Sequence, residues 1–236
     1  MINNKKILGI VTARAGSKGI KNKNLIKVNN RPLIYWPIKA LKKSKYVDQF
    51  ILSSDSKKIM KLANDYGCET PFLRPKSLAR DSSLSIDVVL HSLNFFKKRN
   101  FFFDYVVLLE PTSPLTTYRD VDNALKYLHN NKDVGDSIVG ASENIKFHPD
   151  FNFKIKKNKL INFKKNIYSK RRQELSKVYF FDGSLYISKV SSIYKKKTFY
   201  HKKTLTYETP KWKSFEIDDQ IDLIILNSIM KYKNTK

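Results

Sequence analysis

Positive side chains cluster in a short loop near the start of the chain, between residues 14 and 24. Arg14, Lys18 and Lys23 are separated by small residues, among them Gly16 and Gly19. Glycine lets the backbone come close to a ligand because it has no Cβ. Cations and backbone N–H groups in such a loop can neutralise a polyphosphate, above all a pyrophosphate group that gains charge as it leaves. The loop therefore predicts chemistry on phosphates.

Negative side chains gather near the other end of the chain. Glu216 and Asp218 are two residues apart, so in an extended segment both side chains point the same way. Such a pair suits Mg²⁺, which binds one or two carboxylates together with phosphate oxygens, and Mn²⁺ is a second candidate. A purely structural explanation is equally open, because acidic residues favour a helix start, here before Ile221. Asp219 or Asp222 is then the candidate cap.

The elements that must position these residues alternate in the manner of an α/β fold. Apolar runs at Ile7–Ala13 and Tyr105–Leu109 predict strands, and the second should be covered on both faces. Ligands of such sheets lie at the carboxyl ends of strands, so the Arg14 loop and the turn at Glu110 should face one cleft. The remaining predicted elements are helices over 32–44, 57–66, 85–98 and 119–130, and strands over 50–52 and 137–141.

Composition sets the broad class of the protein. A chain of 236 residues with 41% hydrophobic and 13% aromatic residues fits one folded domain, 1–236. The single cysteine, Cys68, cannot form an internal disulfide, and no apolar run approaches the length of a membrane span. We therefore expect a cytoplasmic protein with no membrane partner. The net charge of +25 suggests nucleic acid. The lysines are scattered along the chain, however, so we expect no nucleic-acid partner.

Four stretches together resemble the acylneuraminate cytidylyltransferases, the family of the CMP-sialic acid and CMP-legionaminate synthetases. The resemblance covers residues 7 to about 222. It implies a three-layer nucleotidyltransferase (Rossmann-like) α/β fold with a mostly parallel mixed sheet and a small protruding arm, at about 142–177, that forms a homodimer. The four stretches are A-R-A-G-S-K-G-I-K-N-K-N (13–24), R-P-K-S-L-A-R-D (74–81), L-L-E-P-T-S-P-L (108–115), and R-R-Q-E-L (171–175) with D-G-S-L-Y-I (182–187).

The resemblance implies an enzyme that joins CTP to a nine-carbon acidic sugar with the help of Mg²⁺, giving a CMP-sugar and pyrophosphate. It implies that Arg14, Lys18 and Lys23 act catalytically on the phosphates, and that Asp218 and Glu216 hold the metal. The implied nucleotide-binding residues are Ala13, Arg14, Gly16, Ser17, Lys18, Lys23, Asn24, Arg74, Asp81 and Ser85. The implied sugar-binding residues are Glu110, Thr112, Ser113, Arg172, Gln173, Asp182 and Gly183.

The chain also departs from the family's pattern. Glu110 replaces a glutamine, Phe180 an arginine of some members, Asp182 an asparagine and Glu216 an aspartate. The sugar therefore stays open among N-acetylneuraminate, legionaminate and pseudaminate, with Kdo as a more distant alternative. The segment at 142–177 is alternatively a flexible basic insert. An alternative of another class is a non-catalytic basic nucleotide- or RNA-binding protein, although paired carboxylates would repel phosphate in the absence of a metal.

Overall fold

The computed structural model describes residues 2, 4–144, 147–162 and 171–234. Strands and helices alternate along most of this length, as the apolar patterns predict. In chain order the elements are β1 (Ile7–Thr12), β2 (Lys27–Val28), β3 (Arg31–Pro32), α1 (Tyr35–Lys43), β4 (Gln49–Ser53), α2 (Lys57–Asp65), α3 (Ser85–Lys97), β5 (Tyr105–Leu109), α4 (Tyr118–Asn130), β6 (Ser137–Glu143), β7 (Phe153–Lys156), β8 (Lys159–Asn162), β9 (Tyr179–Lys189), α5 (Val190–Lys196), β10 (Thr204–Glu208) and α6 (Gln220–Asn234).

Six strands form the central sheet, in the order β10-β6-β9-β5-β1-β4. Strand β1 pairs in parallel with β4 and β5, and β10 pairs in parallel with β6. Strand β9 runs antiparallel to both of its neighbours, β5 and β6. The sheet is therefore mixed but mostly parallel, and the predicted fold class is confirmed.

Both faces of the sheet are covered, which makes three layers. Ile7 and Val11 of β1 pack in one apolar cluster with residues of α1, α2 and α4. Leu8 and Ile10 of the same strand point to the opposite face and pack with residues of α3 and α5. Alternate residues of a strand face opposite sides, so a strand between two helical layers is apolar throughout. A third cluster packs α6 against the β2–β3 hairpin, with Leu226 fully buried.

The first predicted helix begins later than its sequence pattern suggests. Pro32 belongs to the two-residue strand β3, which pairs with β2 through Lys27, and α1 begins at Tyr35. The short hairpin was not visible in the sequence because two-residue strands have no measurable periodicity.

The segment between β6 and β9 leaves the body of the domain. Strands β7 and β8 form an antiparallel hairpin whose side chains are almost all exposed. Two aromatic residues of this arm, Phe151 and Phe153, are 38% and 48% exposed, while Phe163 and Tyr168 lie outside the described residues.

No helix in the described part of the chain combines the length and apolar character needed to cross a membrane.

Candidate active site

A cleft of about 420 Å³ opens where β1 and β5 end. Arg14 and Asp218 both line it, so the cationic loop and the acidic segment meet at one site although 204 residues separate them in sequence. This is the arrangement that the sequence predicts. The predicted site residues that line the cleft are Arg14, Ser17, Lys18, Lys23, Asn24, Arg74, Ser85, Glu110, Thr112 and Asp218.

Two cations of the loop share one carboxylate. Arg14 Nη1 donates to Asp81 Oδ1 at 2.5 Å, and Lys18 Nζ lies 2.9 Å from Asp81 Oδ2. Hydrogen bonds from Lys18 and Arg14 lower the pKa of the Asp81 carboxyl. The Lys18 side chain is 81% exposed, and exposed ion pairs of this kind contribute little to stability. A phosphate group can therefore replace Asp81 as the partner of these cations at small cost.

The loop is fixed to the domain by its backbone. Asn24 Nδ2 donates to the Arg14 carbonyl at 2.9 Å, and the Ala15 amide donates to Asp55 Oδ1 at 2.8 Å. The Ala13 amide donates to the Ser53 carbonyl at 3.1 Å, at the edge of the cleft. At Gly16 an added Cβ would meet only the Arg14 side chain, at 3.9 Å. Gly16 is thus uncrowded, but it is not among the residues that line the cleft, so its predicted nucleotide contact stays a prediction.

Lys23 and Gly19 join the loop to the acidic segment. Lys23 Nζ donates to the Ile217 carbonyl at 2.7 Å and to Asp218 Oδ1 at 3.1 Å. A Cβ on Gly19 would collide with the backbone carbonyl of Asp218. The close backbone approach that Gly19 permits is therefore a contact with Asp218 of the same chain. The Lys23 side chain is 16% exposed and already has these two acceptors as partners. Its predicted contact with a phosphate would be a third.

The helix cap is built by residues other than the predicted metal ligands. Asp219 Oδ1 accepts from the amides of Ile221 and Asp222, at 2.8 and 3.0 Å. Asp222 Oδ2 accepts in return from the amides of Asp218 and Asp219, at 2.9 and 3.0 Å. This reciprocal pattern is a capping box. The candidates that the sequence offered for the cap are confirmed, and Glu216 is not needed for it.

Glu216 lies close to other carboxylates. Burial, together with the nearby carboxylates of Glu110 and Asp218, raises the pKa of Glu216 to about 7, while a hydrogen bond from Ser113 acts in the opposite direction. Ser113 Oγ lies 3.4 Å from Glu216 Oε1. A bound cation would relieve this repulsion. Among the described residues no group of three or more His, Cys, Asp and Glu side chains is placed to hold a metal, so other oxygens would have to complete the coordination shell.

The two predicted base contacts, Arg74 and Ser85, line the same cleft and already have partners within the protein. Ser85 Oγ donates to Glu110 Oε1 at 2.6 Å, so each already has a partner. Arg74 is only 5% exposed, and its Nε donates to Ser53 Oγ at 3.1 Å while Nη2 donates to the Ser53 carbonyl. Burial lowers the pKa of Arg74 to about 10, which leaves it charged at neutral pH. Its remaining donors can still face a ligand.

The structure places part of the predicted sugar-binding set behind the cleft. Asp182 is 1% exposed; its Oδ1 accepts from the Ser184 amide at 3.0 Å and its Oδ2 from the Thr209 hydroxyl. Ser113 is buried and donates to the Gly183 carbonyl at 3.0 Å. Because these groups are enclosed, none of them lines the cleft, and the direct sugar contact predicted for Asp182 stays a prediction. Asp182, Ser113 and Gly183 form the support beneath the cleft.

Gly183 has a definite structural reason to be glycine. Its φ is +63°, and a Cβ at this position would collide with the carboxylate of Glu216. Gly183 therefore makes the space in which Glu216 lies.

The two predicted sugar contacts from the R-R-Q-E-L stretch stay predictions. Arg172 and Gln173 belong to a single turn of 3₁₀ helix, Arg172–Glu174. Gln173 is exposed and does not line the cleft. The side chain of Arg172 lies outside the described residues, so its predicted contact with the sugar carboxylate stays a prediction.

Sequence reasoning missed part of the lining. Arg80 is a further cation in the cleft, in the same segment as Asp81, and its amide donates to Ser83 Oγ at 3.1 Å. The available signal was that Arg80 is a basic residue next to Asp81, which the resemblance assigns to the site. Basic residues are common throughout this lysine-rich chain, so that signal did not stand out. The missed lining residues are Thr12, Leu78, Arg80, Ser83, Val88 and Pro111.

The chain is similar to known proteins along almost its whole length. Residues 8–234 match the family model described as "Cytidylyltransferase". The chain is 31% identical to the post-translational flagellin modification protein B of Campylobacter coli, over 97% of each chain. It is 32% identical to the CMP-N,N'-diacetyllegionaminic acid synthase of Legionella pneumophila, over 96% of this chain and 97% of that protein. A solved CMP:2-keto-3-deoxy-manno-octonic acid synthetase, complexed with CTP, superposes with a TM-score of 0.68 at 14% identity, covering 97% and 99% of the two chains.

Proposed function

The chain belongs to the cytidylyltransferase family, and from that premise we propose that it transfers the CMP group of CTP to a nine-carbon acidic sugar and releases pyrophosphate. The observation that carries this proposal is the shared cleft, which Arg14, Lys18 and Asp218 all line. Cations alone would suit any polyanion. Cations facing carboxylates suit a nucleotide whose phosphates are bound partly by side chains and partly through a metal ion.

The protein's part in the reaction is positioning and charge stabilisation. The sugar's anomeric hydroxyl attacks the α-phosphorus in line, the bond to the bridging oxygen breaks, and pyrophosphate leaves with the electron pair. Arg14 and Lys18, at the exposed rim of the cleft, exchange Asp81 for the β- and γ-phosphates. Phosphoryl-type transfer needs little covalent chemistry from a protein, so these placed charges supply most of the rate.

Two carboxylates fit a divalent cation. Asp218 is 80% exposed in the cleft, and Glu216 lies beside it with a pKa raised to about 7 by burial and by neighbouring carboxylates. Repulsion of this kind favours a cation between the two groups. We propose that they hold Mg²⁺, or Mn²⁺ in its place, with phosphate oxygens completing the shell. When bound, the ion would polarise the α-phosphate and help the sugar hydroxyl to ionise.

The base and the sugar occupy the rest of the cleft. We assign Arg74 and Ser85 to the cytosine side, because an arginine can donate to the ring's O2 and N3 acceptors. Glu110 and Thr112, at the carboxyl end of β5, face the sugar. The 32% identity to a legionaminate-activating enzyme favours a nonulosonate of the sialic or legionaminic type. Pseudaminate and Kdo are the alternatives.

A pyrophosphate-release assay tests this function. The purified chain is given CTP, Mg²⁺ and one sugar at a time from N-acetylneuraminate, legionaminate, pseudaminate and Kdo, with the sugar omitted as the control. We expect release that depends on both CTP and a nine-carbon acid. Salt-sensitive RNA binding with no pyrophosphate release from any sugar would instead support the non-catalytic alternative.

The arm supports a proposal about assembly. Phe153, Ile155 and Leu160 on the β7–β8 hairpin are 48%, 73% and 47% exposed. Apolar side chains on one protruding element mark an interaction surface. We propose that the arm packs on a second copy of the chain to form a homodimer, and that this dimer works in the cytoplasm, where CTP is available.

Light scattering coupled to gel filtration tests the dimer. Ile155→Asp should shift the molar mass from dimer to monomer. Val134→Asp, which changes another side chain that is 66% exposed, is the matched control and should leave the mass unchanged. A wild-type monomer at high protein concentration would contradict the proposal.

A further inference from the structure

A second pocket, of about 340 Å³, lies outside the cleft between α1, α6 and the start of α4. Three of its lining residues are aromatic: Trp36, Trp212 and Tyr118. These include both tryptophans of the chain. Ligand pockets are commonly lined by aromatic side chains with a few placed polar groups, because flat rings provide a large contact area. The shape and lining of this pocket suit a planar ring.

The polar groups of the pocket are all positive or neutral. Lys39, Lys43 and Lys233 line it, and no Asp or Glu is found among its lining residues. Within the part of the chain that the structure describes, none of these three lysines has a carboxylate within ion-pairing distance. Two of the ammonium groups already lie over aromatic faces, Lys39 Nζ 5.4 Å from the Trp36 ring centre and Lys233 Nζ 4.2 Å from the Trp212 ring centre. The pocket therefore has uncompensated positive charge around its rings.

One buried donor in the pocket wall lacks a partner. Trp36 Nε1 is enclosed and makes no hydrogen bond to the residues that the structure describes. Buried polar groups are normally satisfied, so an orphaned donor calls for an explanation. Because this nitrogen is enclosed, a ligand in the pocket reaches it only if the indole ring turns.

The pocket shares two segments with the cleft. Its wall at Pro114 and Tyr118 continues the turn that carries Thr112. Met230 and Lys233 belong to α6, whose first residues follow Asp218. A ligand in the pocket would thus touch both segments that build the cleft.

We propose that this pocket is a binding site for a planar aromatic anion. The ring stacks between Trp36 and Trp212, and the negative group pairs with the lysines. The site is separate from the cleft, and the proposal does not depend on the chemistry assigned to the cleft. The anion could come from two sources, an aromatic carboxylate or the base and phosphate of a nucleotide.

Titration of the full chain with a matched pair of probes tests the site. The probes are 4-nitrobenzoate and its uncharged analogue 4-nitrobenzamide, followed by calorimetry and by tryptophan emission. Emission reports on this pocket because both tryptophans lie in it. We expect one saturable site per chain for the benzoate, with quenched emission, and binding of the benzamide on the order of tenfold weaker because it lacks the charge. No saturable binding, or equal binding of the two probes, overturns the proposal.

Variants assign the binding to the named residues. Lys233→Met should weaken 4-nitrobenzoate about threefold to tenfold, and Trp212→Ala on the order of tenfold, the scale of losing one stacking partner. Lys126→Met changes an exposed lysine of α4 outside the pocket and should leave the affinity unchanged. Unchanged affinity in Lys233→Met and Trp212→Ala would overturn the site, even if the wild type binds.

A titration with CMP separates the two sources. A second CMP site per chain that is lost in Lys233→Met supports the proposal with a nucleotide as the natural anion. A single CMP site that is insensitive to Lys233→Met, together with binding of 4-nitrobenzoate, supports it with an aromatic carboxylate.

Discussion

The two sides of the cleft are built in opposite ways. On the cationic loop, residues 14–24, Arg14 and Lys18 share one surface carboxylate, Asp81, and Lys18 is 81% exposed. On the floor beneath the cleft, here Asp182 and Gly183, the residues are buried, and Asp182 is held by the Ser184 amide and the Thr209 hydroxyl. The loop can exchange its partner for a phosphate, whereas the floor must keep its geometry. Changes in the loop should therefore lower catalysis, and changes in the floor should lower stability.

The strongest effect is expected from Arg14→Ala. Removing a donor that stabilises developing charge should lower kcat by about 10²–10³-fold. The free energy of unfolding should stay within about 0.5 kcal/mol of the wild type, because the Arg14–Asp81 pair lies near the surface. Steady-state kinetics and urea unfolding measure the two quantities. Lys21→Ala, an exposed residue of the same loop outside the cleft, is the control. Near-full turnover in Arg14→Ala would remove the loop from the phosphate site.

A pair of glycine substitutions compares the two sides directly. Gly183→Ala introduces a side chain at φ +63° and into the space of Glu216, so it should lower the free energy of unfolding by about 2–3 kcal/mol. Gly16→Ala, where the nearest atom to the new Cβ would be 3.9 Å away, should change it by less than about 0.5 kcal/mol. Urea denaturation provides both values. Similar losses of unfolding free energy in the two variants would contradict the proposed difference between the loop and the floor.

Asp218→Asn tests the metal ligand at the border between the two sides. Loss of one carboxylate should raise the Mg²⁺ concentration for half-maximal activity on the order of tenfold. Asp219→Asn makes the same charge change one residue away, in a helix cap. Asparagine keeps an oxygen acceptor for the two capped amides, so this variant should change stability by less than about 0.5 kcal/mol and leave the metal titration unchanged. A metal titration that moves equally in both variants would argue against a specific role of Asp218.

The smallest effect is expected from Asp182→Asn. The carboxylate accepts from the Ser184 amide and the Thr209 hydroxyl inside the domain, so its loss should cost about 1 kcal/mol of stability. Because Asp182 is enclosed, the KM for the sugar should stay within about twofold. A large rise in the KM for the sugar with unchanged stability would support a direct contact between Asp182 and the sugar.

The parts of the molecule that the sequence revealed are those with local signals. The apolar run at Tyr105–Leu109 is a buried central strand, as its composition demands. The meeting of Arg14 and Glu110 also followed from strand order, because loops at the carboxyl ends of neighbouring parallel strands share an edge. Asp219 and Asp222 were recognisable as caps from their place before an apolar helix.

The parts that the sequence could not reveal depend on tertiary burial. Asp182 lies in a motif that resembles a sugar contact, yet burial against Thr209 turns its carboxylate inward. Gly19 was read as space for a phosphate, but the space is filled by the backbone of Asp218, which is distant in sequence. The pocket around Trp36 and Trp212 combines residues far apart in the chain, and no local pattern marks it.

The central claim is that the phosphates of one nucleotide join the cationic loop to the acidic segment. The most direct measurement is a crystal structure of the chain with CTP and Mg²⁺. We predict that the β- and γ-phosphates contact Arg14 and Lys18, and that Mg²⁺ lies about 2.1 Å from an oxygen of Asp218 while also binding a phosphate oxygen. A triphosphate that binds away from Arg14, or a metal ion without contact to Asp218 and Glu216, would contradict the account.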